Sequence, residues 1–206
     1  MSSVGVILAG GLARRMGGGD KSLKMLGDRP ILGHVIARAR PQVGALVLNA
    51  NGNPARFAGF GLPVQADPIA GHAGPLAGVL AGLLWARAHQ PAAQWLASFA
   101  GDTPFFPTDL VARLRAALEE TGADLACAAS AGRSHPVFGL WPTRLTEDLQ
   151  RAVVDDGVRK VDAFTANYRL CTVTFDIEPF DPFFNANRPE DLVEAERLRK
   201  QHVCVA

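Results

Sequence analysis

Apolar residues in the first 120 positions of the chain alternate between two spacings. Val4 to Leu8 is an unbroken run of β-favouring residues, which predicts a strand buried on both faces. From Ile31 to Ala39 the apolar residues recur at helical spacing, and Pro41 ends that pattern. The same two patterns predict strands at residues 45–48, 62–65 and 95–100, a helix from Pro75 to just before Pro91, and a helix from an N-cap at Thr108 to a C-cap at Gly122. This alternation predicts a Rossmann-like α/β fold with a doubly wound, mostly parallel sheet.

The second half of the chain is less regular. We predict strands at 124–130 and 137–141 separated by a link at 131–136, helices at 145–153 and 161–166, a strand at 169–175, and a final helix at 189–200. Because 206 residues fit one compact unit, we predict a single domain over residues 1–206.

A glycine-rich stretch follows the first strand. Five glycines lie between Gly10 and Gly19, and three cations, Arg14, Arg15 and Lys21, lie in or beside them. A strand end, a glycine loop and clustered cations together predict a phosphate-binding loop, although a flexible loop with solvated arginines is the alternative. The stretch matches neither the Walker A pattern nor GxGxxG. Adjacent residues rarely both point into one site, so we expect only one of the two arginines to contact phosphate.

Polar residues follow three other predicted strands. Asn49, Asp67 and Asp102 each come at or just after a strand end, and ligands of parallel α/β sheets bind at that edge. Mg²⁺ commonly uses one or two carboxylates together with substrate phosphates, so Asp102 is the predicted metal ligand. Each aspartate has an alternative role in a turn, because Asp67 precedes Pro68 and Asp102 precedes a Thr-Pro pair.

The overall composition excludes several classes of protein. The net charge of +1 provides no general attraction for nucleic acid or an anionic membrane. No stretch approaches the ~20 apolar residues of a membrane span. The three cysteines, Cys127, Cys171 and Cys204, are widely spaced, which argues against a disulfide framework or a zinc site and favours a cytoplasmic location.

The glycine-rich stretch resembles the signature loop of the molybdenum cofactor guanylyltransferases, a branch of the sugar-nucleotide-like nucleotidyltransferases. The resemblance lies in Leu8-Ala9-Gly10-Gly11, in Ala13 to Gly18 and in Asp20-Lys21. It extends to Asn49, Asp67, residues 74–78, residues 102–104, His135-Pro136 and residues 185–190.

The resemblance implies a reaction and a set of site residues. GMP would pass from GTP to the phosphate of molybdenum-molybdopterin, with Mg²⁺ held by Asp102 and with Asp102, Lys21 and Arg15 as catalytic residues. The GTP-binding residues would be Leu8, Ala9, Gly10, Gly11, Lys21, Asn49, Asp67 and Asp102, although the sequence does not decide between Asn49 and Asn51. We expect His135 to be structural, because an ionised phosphate acceptor needs no strong base.

The resemblance also implies partners and a division of the domain. Residues 1 to about 122 would form the nucleotide-binding half and residues 123–206 the acceptor half. Molybdopterin-delivering proteins and recipient molybdoenzymes would be partners, and nucleic acid and membranes would not. The alternatives are a cytidylyl- or sugar-1-phosphate nucleotidyltransferase of the same fold, and a non-catalytic carrier of molybdopterin or nucleotide.

Overall fold

The computed structural model describes residues 3–10, 20–69, 74–186 and 188–203. Residues 201–203 are described by their backbone alone. Its strands are β1 (Ser3–Leu8), β2 (Met25–Leu26), β3 (Arg29–Pro30), β4 (Ala45–Asn49), β5 (Val64–Gln65), β6 (Trp95–Ala100), β7 (Leu125–Ser130), β8 (Arg133–Pro142) and β9 (Leu170–Thr174). Its α-helices are α1 (Ile31–Ala39), α2 (Pro75–His89), α3 (Leu110–Thr121), α4 (Thr146–Val154), α5 (Val161–Thr165) and α6 (Pro189–Val203).

Seven of the strands form one sheet, in the order β5-β4-β1-β6-β8-β7-β9. All neighbouring pairs are parallel except those made by β8, which runs antiparallel to both β6 and β7. The short strands β2 and β3 form a separate hairpin. The predicted α/β fold with a doubly wound, mostly parallel sheet in a single domain is therefore confirmed.

Helices cover both faces of the sheet. Val4 and Val6 of β1 pack in a core with α2, α4 and α5, whereas Ile7 packs in a second core with α1, α3 and α6. Because side chains alternate across a strand, both faces of β1 need apolar residues. The unbroken apolar run at the start of the chain reflects this burial on two sides.

Two glycines allow α2 to lie close to the sheet. A Cβ atom at Gly82 would come within 2.7 Å of the Cβ of Val6, and one at Gly78 would overlap the side-chain oxygen of Asn49 and the Leu8 side chain. Gly78 and Gly82 are one turn apart, so they share a face of the helix. This close packing fixes the start of α2 against the ends of β1 and β4.

The start of α3 differs from its prediction. The residue before the helix is Asp109, not Thr108, and the Asp109 side chain makes no capping hydrogen bond. Instead, the side-chain oxygen of Gln42 accepts a hydrogen bond of 2.9 Å from the backbone N–H of Val111. The prediction of Thr108 as N-cap is wrong because the cap comes from a residue distant in sequence. The predicted C-cap at Gly122 is confirmed, with a φ of 63°.

The predicted link at 131–136 is also wrong. Only Ala131 and Gly132 form the turn, and β8 begins at Arg133. Both turn residues have positive φ, 47° and 72°, which suits a two-residue hairpin whose turn follows the strand twist. Alanine is unusual in that conformation, so the sequence gives a weak hairpin signal. As a result His135 belongs to a strand and pairs with Ala128 of β7.

Candidate active site

The carboxyl ends of the parallel strands surround one cavity of about 370 Å³. Leu8, the last residue of β1, pairs with Asn49 of β4 on one side and with Ala100 of β6 on the other. Besides Leu8, Asn49 and Ala100, the cavity is lined by Gly10, Asn51, Asp67, Gly74, Pro75, Asp102, Val137 and Asn185. The sequence-predicted residues Asn49, Asp67 and Asp102 thus lie in one cavity, as the strand-end argument predicts.

Lys21 lies behind two of the residues that line this cavity and forms hydrogen bonds with both of them. Its Nζ lies 2.5 Å from Oδ2 of Asp102 and donates a second hydrogen bond of 2.7 Å to Oδ1 of Asn185. Lys21 is buried, with 7% of its surface exposed. A buried ammonium requires such partners, because removing it from water without them is costly. A buried positive group is therefore paired with a carboxylate that lines the cavity.

Two amides fix the carboxylate of Asp67. Nδ2 of Asn49 donates to Oδ1 of Asp67 at 2.9 Å and also to the carbonyl of Gln65 at 3.1 Å. Nδ2 of Asn51 donates to Oδ2 of Asp67 at 2.7 Å, and Oδ1 of Asn51 accepts from the Asp67 backbone N–H at 2.9 Å. Both N–H groups of the Asn49 amide are therefore used within the protein.

Arg56 joins the far end of the glycine-rich stretch to this network. Its Nε lies 2.5 Å from Oδ2 of Asp20, as an ion pair without hydrogen-bond geometry. The same guanidinium donates to the backbone carbonyl of Asn51 at 2.5 Å and to that of Asn53 at 2.8 Å. Arg56 thus links Asp20, next to Lys21, to the loop that holds Asp67.

A second cavity of about 490 Å³ adjoins the first one. It shares Ala100, Val137 and Asn185 with the first cavity. Its other lining residues are Thr103, Arg133, Ser134, His135, Pro136, Phe138, Asp181, Phe183 and Phe184. We call it the acceptor cavity, since it lies across a shared wall from the Lys21–Asp102 pair.

Residues 5–169 match the family model described as the MobA-like NTP transferase domain. The chain is 61% identical over 193 residues to a molybdenum cofactor guanylyltransferase of Rhodopseudomonas palustris, covering 94% of this chain and 92% of that protein. It is 60% identical to a protein of the same name from Bradyrhizobium sp., with the same coverage. The chain belongs to the MobA-like nucleotidyltransferases.

Solved structures share the fold of this MobA-like nucleotidyltransferase. The molybdopterin-guanine dinucleotide biosynthesis protein A of Archaeoglobus fulgidus superimposes with a TM-score of 0.72 at 23% identity, covering 96% of this chain and 99% of that one. A Mycobacterium tuberculosis protein, solved as a complex with manganese, gives a TM-score of 0.67 at 20% identity, covering 96% and 99%. Among the described helices, none is both long and apolar enough to cross a bilayer.

The donor atoms of this nucleotidyltransferase suit a metal ion that arrives with its nucleotide. In the part of the chain that the structure describes, no group of three or more His, Cys, Asp or Glu residues could hold a metal by itself. Asp102 and Asn185 nevertheless line the cavity with side chains that carry hard oxygen atoms, and both contact Lys21. Mg²⁺ is commonly bound by one or two carboxylates, with phosphate oxygens and water completing its coordination. The residues therefore fit a Mg²⁺–triphosphate complex.

The predicted backbone cradle at the end of β1 is only partly described. The carbonyl of Leu8 accepts a hydrogen bond of 3.0 Å from Gly101, and the N–H of Ala9 donates one of 2.9 Å to Asn49. Gly10 lines the cavity, and an added Cβ there would meet nothing within 4 Å. The other predicted residues of this loop, Gly11, Arg14 and Arg15, lie outside the described residues, as does His72.

Sequence reasoning missed three features of the site. Asn185 appeared only within a family segment, although its side chain contacts Lys21. Arg56 lies in a 3-10 helix (Pro54–Phe60) that no periodic pattern marks. Ser130 bonds His135 through the unexpected hairpin. Asn185 contacts a residue distant in sequence, and the Ser130–His135 bond depends on a turn that the sequence signals weakly. Only the asparagine had any signal, through the family resemblance.

Replacing Arg56 with lysine is expected to weaken nucleotide binding about three- to tenfold. Lysine keeps the charge but cannot reach Asp20 and two carbonyl groups at once. Asp20 and the Asn51 loop would then lose their common support, so part of the binding energy would be used to order them. Isothermal titration calorimetry with GTP and Mg²⁺ measures the effect. Arg29→Lys is the control, because Arg29 is exposed and its nearest carboxylate, on Asp28, is 3.7 Å away; equal affinities for the two variants would contradict the linking role.

Proposed function

We propose that this protein transfers GMP from GTP to the phosphate of molybdenum-molybdopterin and releases pyrophosphate. The observation that carries the proposal is the Lys21–Asp102–Asn185 cluster at the junction of two cavities. A nucleotidyl transfer needs a triphosphate on one side and an acceptor on the other, with charge neutralisation between them. The names of the curated relatives, at about 60% identity, support guanosine as the base and molybdopterin as the acceptor.

In the proposed reaction, an oxygen of the acceptor phosphate attacks the α-phosphorus of GTP. A bond forms between this oxygen and the α-phosphorus, and the bond from the α-phosphorus to the bridging oxygen of the β-phosphate breaks. The electron pair of that bond leaves with pyrophosphate. Because the acceptor phosphate is already ionised at neutral pH, the chain needs no general base, and its task is to position both substrates.

Lys21 is proposed to hold the triphosphate. Its ammonium is a compact charge that contacts Asp102 and Asn185. It offsets the charge that grows on the leaving pyrophosphate, and burial in the cavity increases the strength of that interaction. Arg15 is proposed as the second cation on the phosphates, from the glycine-rich stretch.

Asp102 is proposed to hold Mg²⁺ together with the nucleotide. When bound, the ion would neutralise phosphate oxygens and polarise the α-phosphorus toward attack. Asp102 also orients Lys21 through their ion pair. The carboxylate of Asp102 is thus proposed to hold the Lys21 ammonium in position until phosphate oxygens replace part of the contact between the two side chains.

The Asn49–Asn51–Asp67 network is proposed to bind the nucleoside. Asp67 offers carboxylate oxygens with remaining acceptor capacity, which suit hydroxyl or N–H donors. Asn49 would act by orienting Asp67, because both of its N–H groups are used. Asn51 is more exposed and donates through one described N–H contact, so of the two asparagines it is the better placed to contact ligand directly.

Nucleotide selectivity tests the proposed function. We expect calorimetry to show GTP binding at least tenfold tighter than CTP or ATP binding, and only with Mg²⁺ present. We also expect wild-type protein to release pyrophosphate from GTP when molybdenum-molybdopterin is added. Preference for CTP would assign the protein to a cytidylyl activity, and selective GTP binding without pyrophosphate release would indicate a carrier.

A further inference from the structure

The acceptor cavity has an aromatic wall. Phe183 is buried, Phe184 is half-buried, and the imidazole of His135 stacks on Phe183 with ring centroids 4.5 Å apart and planes inclined by 22°. Phe138 contacts the other side of this cluster, edge-on to Phe183 at 4.9 Å. Because Phe183 and Phe138 are buried, the half-buried rings of His135 and Phe184 are the ones that can contact a ligand, and aromatic rings favour a planar ligand over a flexible polar one.

A buried hydroxyl fixes the orientation of His135. Ser130 is fully buried, and its Oγ donates a hydrogen bond of 2.8 Å to Oδ1 of Asp181. The same Oγ lies 2.7 Å from Nε2 of His135. A serine hydroxyl has one proton, which is used on Asp181, so the second bond must be donated by the N–H at Nε2. Ser130 and Asp181 together therefore place the proton of a neutral His135 on Nε2.

The other ring nitrogen of His135 remains an acceptor. Burial is the main cause that lowers the pKa of His135 below its ordinary value, and Arg133 lowers it further, whereas Asp181 opposes them. The ring is thus neutral at physiological pH, with a lone pair on Nδ1. Among the described residues, Nδ1 has no hydrogen-bond partner, although His135 lines the acceptor cavity.

We propose that the acceptor cavity binds a planar N–H-bearing heterocycle, and that Nδ1 of His135 accepts a hydrogen bond from one of its N–H groups. This inference rests on the proposed function and assigns the pterin side of the acceptor to a defined wall. His135 is a substrate-binding residue in this scheme, and Ser130 and Asp181 are positioning residues. A heterocycle on this wall would direct its substituents across Val137 and Asn185, where the shared wall meets Lys21.

The polarity of the bond makes the site selective. A ligand edge that carries only acceptors would face the lone pair of Nδ1 and be rejected, because two acceptors cannot share a proton that neither has. A ring that is planar and has N–H or NH₂ groups at its edge satisfies both the stacking wall and the histidine. Pterins meet this description, and unsubstituted carbocyclic aromatics do not.

The His135→Phe variant tests the inference. Phenylalanine retains a ring against Phe183 and removes both nitrogens, while Ser130 keeps its bond to Asp181. We expect the KM for molybdenum-molybdopterin to rise about tenfold or more, with kcat and the KM for GTP within about twofold of wild type, since one hydrogen bond to the acceptor is lost. An unchanged KM for the acceptor, or equal rises in both KM values, would overturn it.

Two further variants keep the test decisive. His89→Phe is the matched control, because His89 also stacks on an aromatic ring, Trp85, with centroids 4.7 Å apart, but lines neither cavity. Ser130→Ala removes the group that fixes the ring, so it should raise the acceptor KM severalfold without changing the Kd for GTP. If His135→Phe does not fold, this variant carries the test, and an unaltered acceptor KM would contradict the positioning role.

The pH dependence separates a binding role from a structural one. Protonation of Nδ1 converts the acceptor into a donor, so the acceptor KM of wild type should rise as the pH falls through the lowered pKa of His135. Ser130, Asp181 and Arg133 are the polar or charged groups that act on this ring. The acceptor phosphate also titrates near pH 6, and the His135→Phe variant shares that titration. If the acceptor KM of wild type and that of His135→Phe changed in parallel with pH, the inference would be contradicted.

Direct binding distinguishes failure of the inference from failure of the proposed function. Molybdopterin binding can be titrated without GTP by isothermal titration calorimetry. Binding by wild type that weakens in His135→Phe would support the inference even if no GMP were transferred. Transfer by wild type with identical molybdopterin binding in both proteins would overturn the inference and leave the proposed function intact.

Discussion

Asp102→Asn is expected to lower the rate of GMP transfer at least a hundredfold. The substitution keeps the shape of the side chain but removes the charge that is proposed to hold Mg²⁺ and that pairs with Lys21 at 2.5 Å. Losing one electrostatic contact to a developing charge commonly costs ~10²–10³ in kcat, and loss of a metal ligand adds to that. Pyrophosphate release from GTP, measured at saturating acceptor, gives the comparison.

The fold should survive the Asp102 change. The Asp102 side chain is about one-quarter exposed, and Lys21 retains Asn185 as a partner. We therefore expect the free energy of unfolding to fall by about 1–2 kcal/mol, less than for a fully buried pair. Asp109→Asn is the matched control, because Asp109 is exposed and makes no capping bond through its side chain. A folded Asp102→Asn protein with wild-type activity would exclude Asp102 as the metal ligand.

Gly101→Ala is expected to destabilise the protein and inactivate it together. A Cβ atom at this position would come within 2.8 Å of the carbonyl oxygen of Leu8 and 3.1 Å of Cα of Ala9, both backbone atoms that cannot rotate away. The hydrogen bond from Gly101 to Leu8, 3.0 Å long, would be strained as well. We expect a loss of about 2 kcal/mol or more, and a fall in Tm of about 5 °C.

The loss of activity has a geometric cause, because Gly101 immediately precedes Asp102. Moving it away from β1 shifts the carboxylate relative to Lys21, and small displacements at a reacting centre cost large factors in rate. Thermal unfolding followed by circular dichroism, with the transfer assay on the same samples, measures both effects. Gly59→Ala is the control, since a Cβ there meets nothing within 4 Å. If the Tm of Gly101→Ala equalled that of the wild-type protein, the strand ends would be able to move apart without cost, and the expected clash would be contradicted.

The sequence predicts the parallel part of the fold well, because the patterns that mark its strands and helices involve only residues close together in the chain. The apolar run of β1 and the helical spacing in α1 each depend on neighbouring residues, and both elements form where the patterns place them. The rule that ligands bind at the carboxyl ends of parallel strands then brings Asn49, Asp67 and Asp102 into one cavity. No knowledge of long-range contacts is needed for that step.

The other features of the fold and of the site depend on contacts that the spacing of residues along the sequence does not reveal. The cap of α3 comes from Gln42, 69 residues before Val111 in the chain. The hairpin between β7 and β8 uses an alanine at positive φ, against its intrinsic preference. The bond between Ser130 and His135 forms through that hairpin, so the spacing of residues in the sequence does not predict it.

The shared wall of Ala100, Val137 and Asn185 has a consequence for the end of the reaction. Two ligands that bind separately each lose their own translational freedom, whereas a joined dinucleotide loses it once. The product would therefore bind more tightly than either half and leave more slowly, while pyrophosphate departs from the Lys21 side. Under the proposed function, a slow-leaving product would stay bound until another protein accepts it, so the wall shared by the two cavities would also favour direct handover of the product.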